Sequence, residues 1–355
     1  MLFTYPIAAT TNNWVSSTII EILRTALAAL QSGVQPPDFH NAVPQIYKVE
    51  FQRGRKFSDL YSAFIDACRP LDPNQQELVL TALFDQNRFP EIFDASTRCP
   101  GIALILPAVH QAAQNLFAYA FEKLSDLRTP GSTETVRARY HQLVHAHIES
   151  GCCPFCGLEI IEAPDPDLVD PDLDHYLAAS KYPFAGANLR NLTAMGTTCN
   201  RSYKGAQDIL LDDVNQRVDC MDPYGEEHVS LSLEGTALLP GGGSGPSWVI
   251  NFDPDMKSRN WRRIFKMEKR LRLNLLERQY QTWLSHCISY AAAHNIDLSE
   301  REGALEAVRK FKNTCKYETF PTVARLKTSF FELIEAALAN AESADKVHNF
   351  LVEAA

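Results

Sequence analysis

Residues 153–205 carry four short motifs in a fixed order: Cys153-Pro-Phe-Cys156, Asp174-His175, Asn191-Leu192 and Cys199-Asn200-Arg201-Ser202-Tyr203-Lys204-Gly205. Two cysteines separated by two residues are typical of a zinc ligand pair, because both thiolates can face one metal while the backbone turns. A carboxylate beside an imidazole suits a hard divalent cation and a base that activates water. Each motif is weak alone, but their order and distances predict one small metal site.

The strand-like alternation of Leu173-Asp-His-Tyr-Leu places Asp174 and His175 on opposite faces, so a bulge or bend would be needed to bring both to one metal. Asn200 and Lys204 are four residues apart on a predicted short helix, which puts both on one face. An ammonium at Lys204 suits contact with a phosphate, and Arg201 beside it is a second candidate. The chemistry indicated is that of phosphate esters.

The order of these motifs over residues 151–206 resembles the HNH (His-Asn-His, ββα-metal) endonuclease family. The resemblance implies a treble-clef-like ββα-metal core in which His175 is the general base, Asn191 orients the loop that carries it, and Asp174 and Asn200 hold a catalytic Mg²⁺ or Mn²⁺. Asn188-Leu189 has the same form as Asn191-Leu192, but the spacing to Asn200 favours Asn191. The implied function is a metal-dependent endonuclease that cleaves DNA.

The run Tyr176-Leu-Ala-Ala-Ser-Lys-Tyr-Pro is similar to that of a bacterial HNH subgroup, some members of which are encoded beside an ATPase in anti-phage defence operons such as Septu. This resemblance implies a defence effector that a partner ATPase or a ligand controls. The alternative is a catalytically silent zinc-knuckle module that binds nucleic acid or a protein partner. A third hypothesis, compatible with the first, gives the switching role to the flanking helices.

A structural zinc is predicted at Cys153, Cys156 and Cys199. The family usually supplies a second cysteine pair, and here its first position is Gly196, so the set is one ligand short of the four that a structural zinc needs. The fourth ligand stays open among Cys152, Cys220 and His147, or the zinc site has degenerated.

The remaining composition is ordinary: 45% hydrophobic and 22% charged residues, with nine cysteines too scattered for a disulfide framework. No secretory leader or membrane span is expected, because the most apolar stretch, 101–121, contains several polar side chains. We therefore expect a cytoplasmic protein with reduced thiols and no membrane partner.

Periodicity predicts a mainly α protein in three parts: a helical region at 1–150, the nuclease core with a following β-hairpin at 151–255, and a helical region at 256–355. Thr18-Ile-Ile-Glu21 has the spacing of a helix start. The net charge of −9 argues against nucleic acid, yet the predicted helix from 258 onward is strongly basic. Its candidate nucleic-acid contacts, with a solvated face as the alternative reading, are Arg262, Arg263, Lys266, Lys269 and Arg270.

Overall fold

The computed structural model describes residues 1–53, 56–165, 167–168, 172–239 and 245–353. Within them the chain is mainly helical, with two small antiparallel sheets of two strands each. The mainly α prediction and the prediction of a hairpin near residues 229–252 are thus confirmed. The finer prediction of a ββα-metal core stays a prediction.

The chain forms two compact units. The motif unit comprises residues 4–148 and 161–227, and the C-terminal unit comprises residues 1–3, 149–160 and 228–355. The predicted segment 151–255 is therefore shared between them: the cysteine knuckle and the hairpin lie in the C-terminal unit, whereas Asp174-His175 and Asn200 lie in the motif unit.

The described residues of the motif unit form seven α-helices, two strands and a π-helix: α1 Trp14–Gln31, α2 Phe39–Ala42, α3 Lys48–Arg53, α4 Phe57–Cys68, α5 Pro73–Asp85, α6 Pro107–Lys123, α7 Val136–His145, β1 Leu173–His175, β2 Leu192–Ala194 and the π-helix Thr198–Lys204. Single 3-10 turns lie at Ile7–Thr10, Gln45–Tyr47, Glu91–Phe93, Pro183–Ala185 and Leu189–Asn191. Its core is aromatic, since Phe39, Phe51 and Phe57 are buried and their rings contact one another.

The predicted helix start at Thr18 is wrong. The α1 helix begins at Trp14, and Thr18 lies inside it, buried on the face that packs into the unit. The aromatic and β-branched residues Trp14 and Val15 extend the apolar stripe of α1 by one turn, because they are buried with Ile19 and Leu23. Burial of that stripe therefore sets the start of the helix rather than the capping pattern.

Where the structure describes it, the C-terminal unit contains two strands, six α-helices and a second π-helix: β3 Ser230–Ser232, β4 Asn251–Asp253, α8 Asp255–Phe265, α9 Met267–Arg270, the π-helix Leu271–Leu276, α10 Glu277–Ala293, α11 Arg301–Lys312, α12 Pro321–Ala339 and α13 Ala344–Glu353. Single turns lie at Glu149–Gly151 and Cys315–Tyr317. The predicted continuous helix 258–294 is instead broken at Lys266, whose backbone is left-handed with φ +51°. A side chain there costs about 1 kcal/mol relative to a helical conformation.

Candidate functional site

Two short strands position the Asp174-His175 pair. Strand β1 pairs with β2 in antiparallel register, with Asp174 opposite Thr193 and His175 opposite Leu192. Side chains alternate between the two faces of such a pair, and the two motif side chains do have different surroundings. The Asp174 side chain faces the π-helix Thr198–Lys204, whereas the ring of His175 faces the loop around Gly186 and α6.

The imidazole of His175 is held in one orientation. Its Nε2 lies 2.7 Å from the carbonyl oxygen of Gly186, and its ring centroid lies 4.4 Å from that of Phe121. A carbonyl can only accept, so Nε2 carries the proton and Nδ1 is the ring atom that can take another. Burial lowers the pKa of His175, and the positive charge of Lys204 adds to this, although the Gly186 bond and the Asp174 charge oppose it. The neutral ring is therefore the favoured form near pH 7.

Asn191 ties the segment after His175 to the start of β2. Its side chain is fully buried, accepts from the backbone N–H of Leu177 at 2.7 Å and donates to the carbonyls of Leu177 at 3.1 Å and Ala185 at 3.2 Å. Its own carbonyl accepts from the N–H of Tyr176. Three backbone groups of the loop between the strands are thus satisfied by one side chain, which fixes the path of the chain on both sides of His175.

Asp174 forms an ion pair that sequence reasoning did not find. The ammonium of Lys204 lies 2.8 Å from Asp174 Oδ2, and the Lys204 side chain is only 1% exposed. Lys204 was expected to face a substrate phosphate, but in the structure it neutralises this carboxylate. A like pair joins Arg201 to Asp172 at 3.0 Å, where the arginine is 70% exposed. Asp172 and Asp174 are two residues apart on an extended segment and share a face, which is the only sequence signal for this arrangement.

The short helix that carries Asn200 is a π-helix. The backbone N–H of Gly205 donates to the carbonyl of Asn200 at 2.8 Å, five residues back, instead of the four of an α-helix. Such single wide turns recur at functional sites. Asn200 is partly buried, and in the described part of the chain its amide makes no hydrogen bond. It is therefore a polar group with unused donors and acceptors, unlike Asn191.

Tyrosines from helices and loops outside the motif hold β2 by its carbonyls. The hydroxyl groups of Tyr140 and Tyr224 both donate to the carbonyl of Leu192, and Tyr5 donates to that of Ala194 at 2.5 Å. Burial raises the pKa of Tyr140 and Tyr224 far above the ordinary tyrosine value, so both stay protonated donors. These contacts give the region before residue 150 a definite task, which its sequence did not reveal.

Asn188, which the spacing had set aside in favour of Asn191, also has a structural task. Its amide accepts from Asn13 at 2.8 Å and donates to Asn87 at 2.9 Å. Asn13 in turn accepts from the backbone N–H of Leu189. These amides fasten the loop before β2 to the ends of α1 and α5. No local pattern announces such a network, because its members are far apart in the sequence.

The cysteine knuckle lies in the C-terminal unit. The N–H groups of Cys156 and Gly157 both donate to the carbonyl of Cys153, which closes the turn, and Gly157 has φ +58°. A side chain at Gly157 would collide with Thr322, whose hydroxyl donates to the carbonyl of Cys156. Both thiols are fully buried. The turn thus has the form of a zinc knuckle and is packed against α12.

Cys199 belongs to the motif unit, so the predicted zinc set is shared between the two units and stays a prediction. Two of the candidates for the fourth zinc ligand form hydrogen bonds elsewhere. The thiol of Cys152 donates to the carbonyl of Ser150 at 3.5 Å, and that of Cys220 donates to the carbonyl of Ile209 at 2.7 Å. Both would have to give up these bonds and lose a proton to bind a metal.

The basic residues of α8 and α9 surround a cavity of about 650 Å³. The break at Lys266 turns the chain, so that six cations and one acid line it: Arg259, Arg262, Arg263, Lys266, Lys269, Arg272 and Glu268. Of the five nucleic-acid contacts predicted on this helix, Arg270 alone is absent from this lining, and the sixth predicted contact, Arg201, lies in the motif unit. Its guanidinium is buried and donates to the carbonyl of Phe265. We call the other four, Arg262, Arg263, Lys266 and Lys269, the basic surface.

No family model, no curated protein and no solved structure matches this chain. The resemblance to HNH endonucleases therefore rests on the motif residues alone. Among the helices of the described residues, none is long and apolar enough to cross a membrane.

Proposed function

We propose that the chain is a metal-dependent endonuclease of the HNH type that cleaves phosphodiester bonds of DNA. The observation that carries the proposal is the state of His175. Its Nε2 is engaged by the Gly186 carbonyl and its pKa is lowered by burial, which leaves a neutral ring with Nδ1 able to accept a proton. A general base for hydrolysis at neutral pH needs this combination of fixed orientation and free acceptor.

In this mechanism Nδ1 of His175 takes a proton from the attacking water. Asn191 keeps the ring in place indirectly, since it fixes the backbone at Leu177 and Ala185 on either side of the loop. Phe121 covers one side of the imidazole and keeps bulk water from it. The contribution of such a base is typically 10²–10⁴-fold in rate.

The residues predicted to hold a catalytic cation fit a hard metal ion. Asp174 offers a carboxylate whose charge a buried cation already balances, and Asn200 offers an amide oxygen with no hydrogen bond in the described part of the chain. Carboxylate and amide oxygens are the ligands of Mg²⁺ and Mn²⁺. A divalent cation bound there would stabilise the negative charge that develops on the phosphate. Lys204 competes with it for Asp174.

The basic surface supplies the proposed contact with nucleic acid. Lys266 and Lys269 are exposed, and neither pairs with a carboxylate among the residues that the structure describes. Unpaired exposed cations around a concavity attract phosphates even when the whole chain is acidic, because the local field decides encounter. Phosphate contacts of this kind carry no sequence preference.

The test is a plasmid-nicking assay in Mg²⁺, Mn²⁺ or EDTA with wild type, His175→Ala and the control His40→Ala. His40 is exposed on α2. We expect EDTA to stop nicking and His175→Ala to slow it at least 100-fold, while His40→Ala is unaffected. Nicking at the wild-type rate by His175→Ala would falsify the assignment.

The Asp174–Lys204 ion pair favours a second function. Because a buried ammonium already neutralises the Asp174 carboxylate, the fold needs no metal ion at that position. This fits a catalytically silent zinc-knuckle module that binds nucleic acid or a protein partner. In that case the same assay shows no nicking in any metal, while DNA binding persists. The anti-phage role, the partner ATPase, the structural zinc and the cytoplasmic location rest on the sequence alone and stay predictions.

A further inference from the structure

We propose that a cleft between the end of α6 and the start of α7 is a substrate subsite that takes one phosphodiester unit beside the bond to be cut. The cleft has a volume of about 310 Å³, and its polar lining comes from Ser125, Thr135, Arg137, His141, Gln142 and Asp165. None of these residues belongs to the motif. The proposal rests on the proposed function, which it deepens by adding a substrate contact.

One phenylalanine ring contacts both the proposed base and an arginine of the cleft. The ring of Phe121 contacts the imidazole of His175 at 4.4 Å between centroids, and the guanidinium carbon of Arg137 lies over the same ring at 5.9 Å. Phe121 is only partly buried. Because Arg137 and His175 contact the same phenylalanine ring, a strand whose scissile phosphate lies at His175 could also reach Arg137.

Arg137 has an unused charge. Its Nε donates to Nε2 of His141 at 3.4 Å, and within the described ranges no carboxylate pairs with it. By contrast, Arg190 in the same unit is paired with Asp222 at 2.9 Å. The bond to the buried His141 fixes the guanidinium, and its remaining N–H groups form the planar fork that matches two phosphate oxygens.

Recognition in the cleft must come from side chains. The first backbone N–H groups of α7 are already bonded: Val136 donates to Leu127, Arg137 to Leu124, and Ala138 to the hydroxyl of Thr135. The terminus of the helix thus offers no free amide. The Thr135 hydroxyl accepts that bond and still has its own proton to donate, and the hydroxyl of Ser125 is a second donor.

The lining selects a singly charged phosphodiester over a free polyphosphate. Asp165 is exposed at the rim, and its carboxylate accepts from the backbone N–H of Asp167 at 2.9 Å. Arg137 is the one arginine or lysine among the described residues of the lining and can balance the single charge of a phosphodiester, whereas the Asp165 carboxylate repels the further charges of a polyphosphate. The volume is at the small end of ligand pockets, about 300–1000 Å³, and therefore suits one nucleotide unit rather than a duplex.

The experiment measures binding and cleavage separately with four forms of the full chain: wild type, Arg137→Gln, Arg137→Lys and Arg139→Gln. Arg139 is the matched control, since it is exposed on the same helix, lies outside the cleft and has only a distant pairing to Glu134 at 4.0 Å. Binding of a fluorescent single-stranded decanucleotide is followed by anisotropy in EDTA. Displacement of the labelled decanucleotide, followed by the same anisotropy signal, then compares the dinucleotide dTpT with inorganic triphosphate at matched ionic strength.

We expect Arg137→Gln to weaken decanucleotide binding about tenfold. It should also reduce the salt slope, which is the steepness of log K against log salt concentration, by about 0.7, the value for one phosphate on a single strand. Arg137→Lys keeps the charge but not the fork, so we expect its affinity to lie between those of wild type and Arg137→Gln while the wild-type salt slope is kept. Arg139→Gln should stay within twofold of wild type. In cleavage assays Arg137→Gln should raise KM with little change in kcat.

Equal binding by Arg137→Gln and Arg139→Gln, no decanucleotide binding by wild type, or stronger displacement of the decanucleotide by triphosphate than by dTpT would each overturn the subsite. Cleavage by wild type together with equal binding by the two variants would leave the nuclease function standing. Binding that depends on Arg137 in a protein that never cleaves would instead support the contact and remove the nuclease function.

Discussion

Asn191 and Asn200 are both asparagines of the motif, but their side chains have opposite surroundings. The amide of Asn191 is fully buried and makes three hydrogen bonds to backbone groups of Leu177 and Ala185. The amide of Asn200 is partly buried and makes none in the described part of the chain. A buried group that loses its partner costs about 1–3 kcal/mol, whereas an unused group costs little. The two residues should therefore differ in what they contribute.

Substitution by alanine separates these contributions. Asn191→Ala is expected to lower the free energy of unfolding by about 3 kcal/mol, because it leaves an N–H and two carbonyls of the loop unsatisfied. Asn200→Ala should change stability by less than about 0.5 kcal/mol and, under the proposed function, abolish nicking. Urea unfolding followed by circular dichroism, with nicking assays on the same samples, measures both. A loss of stability in Asn200→Ala equal to that in Asn191→Ala would contradict this distinction.

Residue spacing could select the motif, but it could not supply the partners that define its chemistry. The sequence singled out His175 and Asn191, and it predicted a strand at Leu173, which is confirmed. It gave no sign of the Gly186 carbonyl or the Phe121 ring, because a backbone oxygen and a helix phenylalanine have no signature of function. The protonation of Nε2 follows from those partners alone.

Two ion pairs connect β1 and its preceding residue to the π-helix, and they differ in burial. Lys204 is 1% and Asp174 17% exposed, whereas Arg201 is 70% and Asp172 21% exposed. Removing one partner of a buried pair costs about 3–5 kcal/mol, because the other charge stays in a dry environment. An exposed pair contributes at most about 1 kcal/mol. The inner pair should therefore set the position of the π-helix.

A double-mutant cycle tests the inner pair. Asp174→Asn and Lys204→Met should each lower the free energy of unfolding by about 3 kcal/mol, and the double variant should cost less than their sum by about 1–3 kcal/mol. The cycle of Asp172→Asn with Arg201→Gln is the control on the same two elements, with a coupling below about 1 kcal/mol. Additive effects at Asp174 and Lys204 would mean that the ion pair does not connect the strand and the helix.

At the level of elements, long amphipathic helices were predictable and their interruptions were not. The predicted helical region 1–150 is confirmed by helices such as Phe57–Cys68, which its buried stripe and the following Pro70 mark well. The break at Lys266 escaped prediction because a lysine, unlike a glycine, does not announce a left-handed backbone. The π-helix at Thr198–Lys204 escaped for a similar reason: its sequence is that of an ordinary helix start.

Across the whole molecule, segments that are neighbours in the sequence belong to different structural units. The first strand of the motif, β1, belongs with the helices of residues 4–148, whereas the knuckle, which ends seventeen residues before β1 begins, belongs with residues 228–355. The three-part division of the chain was predicted from periodicity, which reports local preference. Long-range contacts such as those of Tyr5 and Tyr140 with β2 decide membership, and no single-sequence pattern encodes them.

Net charge and local charge make different predictions for DNA binding. If the net charge of −9 determines the affinity for DNA, the loss of any two cations should weaken binding equally. If the basic surface governs, Lys266→Gln with Lys269→Gln should weaken binding far more than Lys310→Gln with Lys316→Gln, two exposed lysines of the same unit that lie outside the cavity. Both double variants change the charge of the chain by the same amount.

Salt dependence decides between them, because each phosphate contact releases condensed counterions and contributes about −0.9 to the slope of log K against log salt on duplex DNA. The Lys266/Lys269 variant should therefore lose about 1.8 units of slope relative to wild type, and the Lys310/Lys316 variant should keep the wild-type slope. Anisotropy titrations of a labelled duplex at several salt concentrations give the slopes. Equal slopes for the two variants would show that the basic surface is not the binding site and that DNA binding depends on the net charge of the chain.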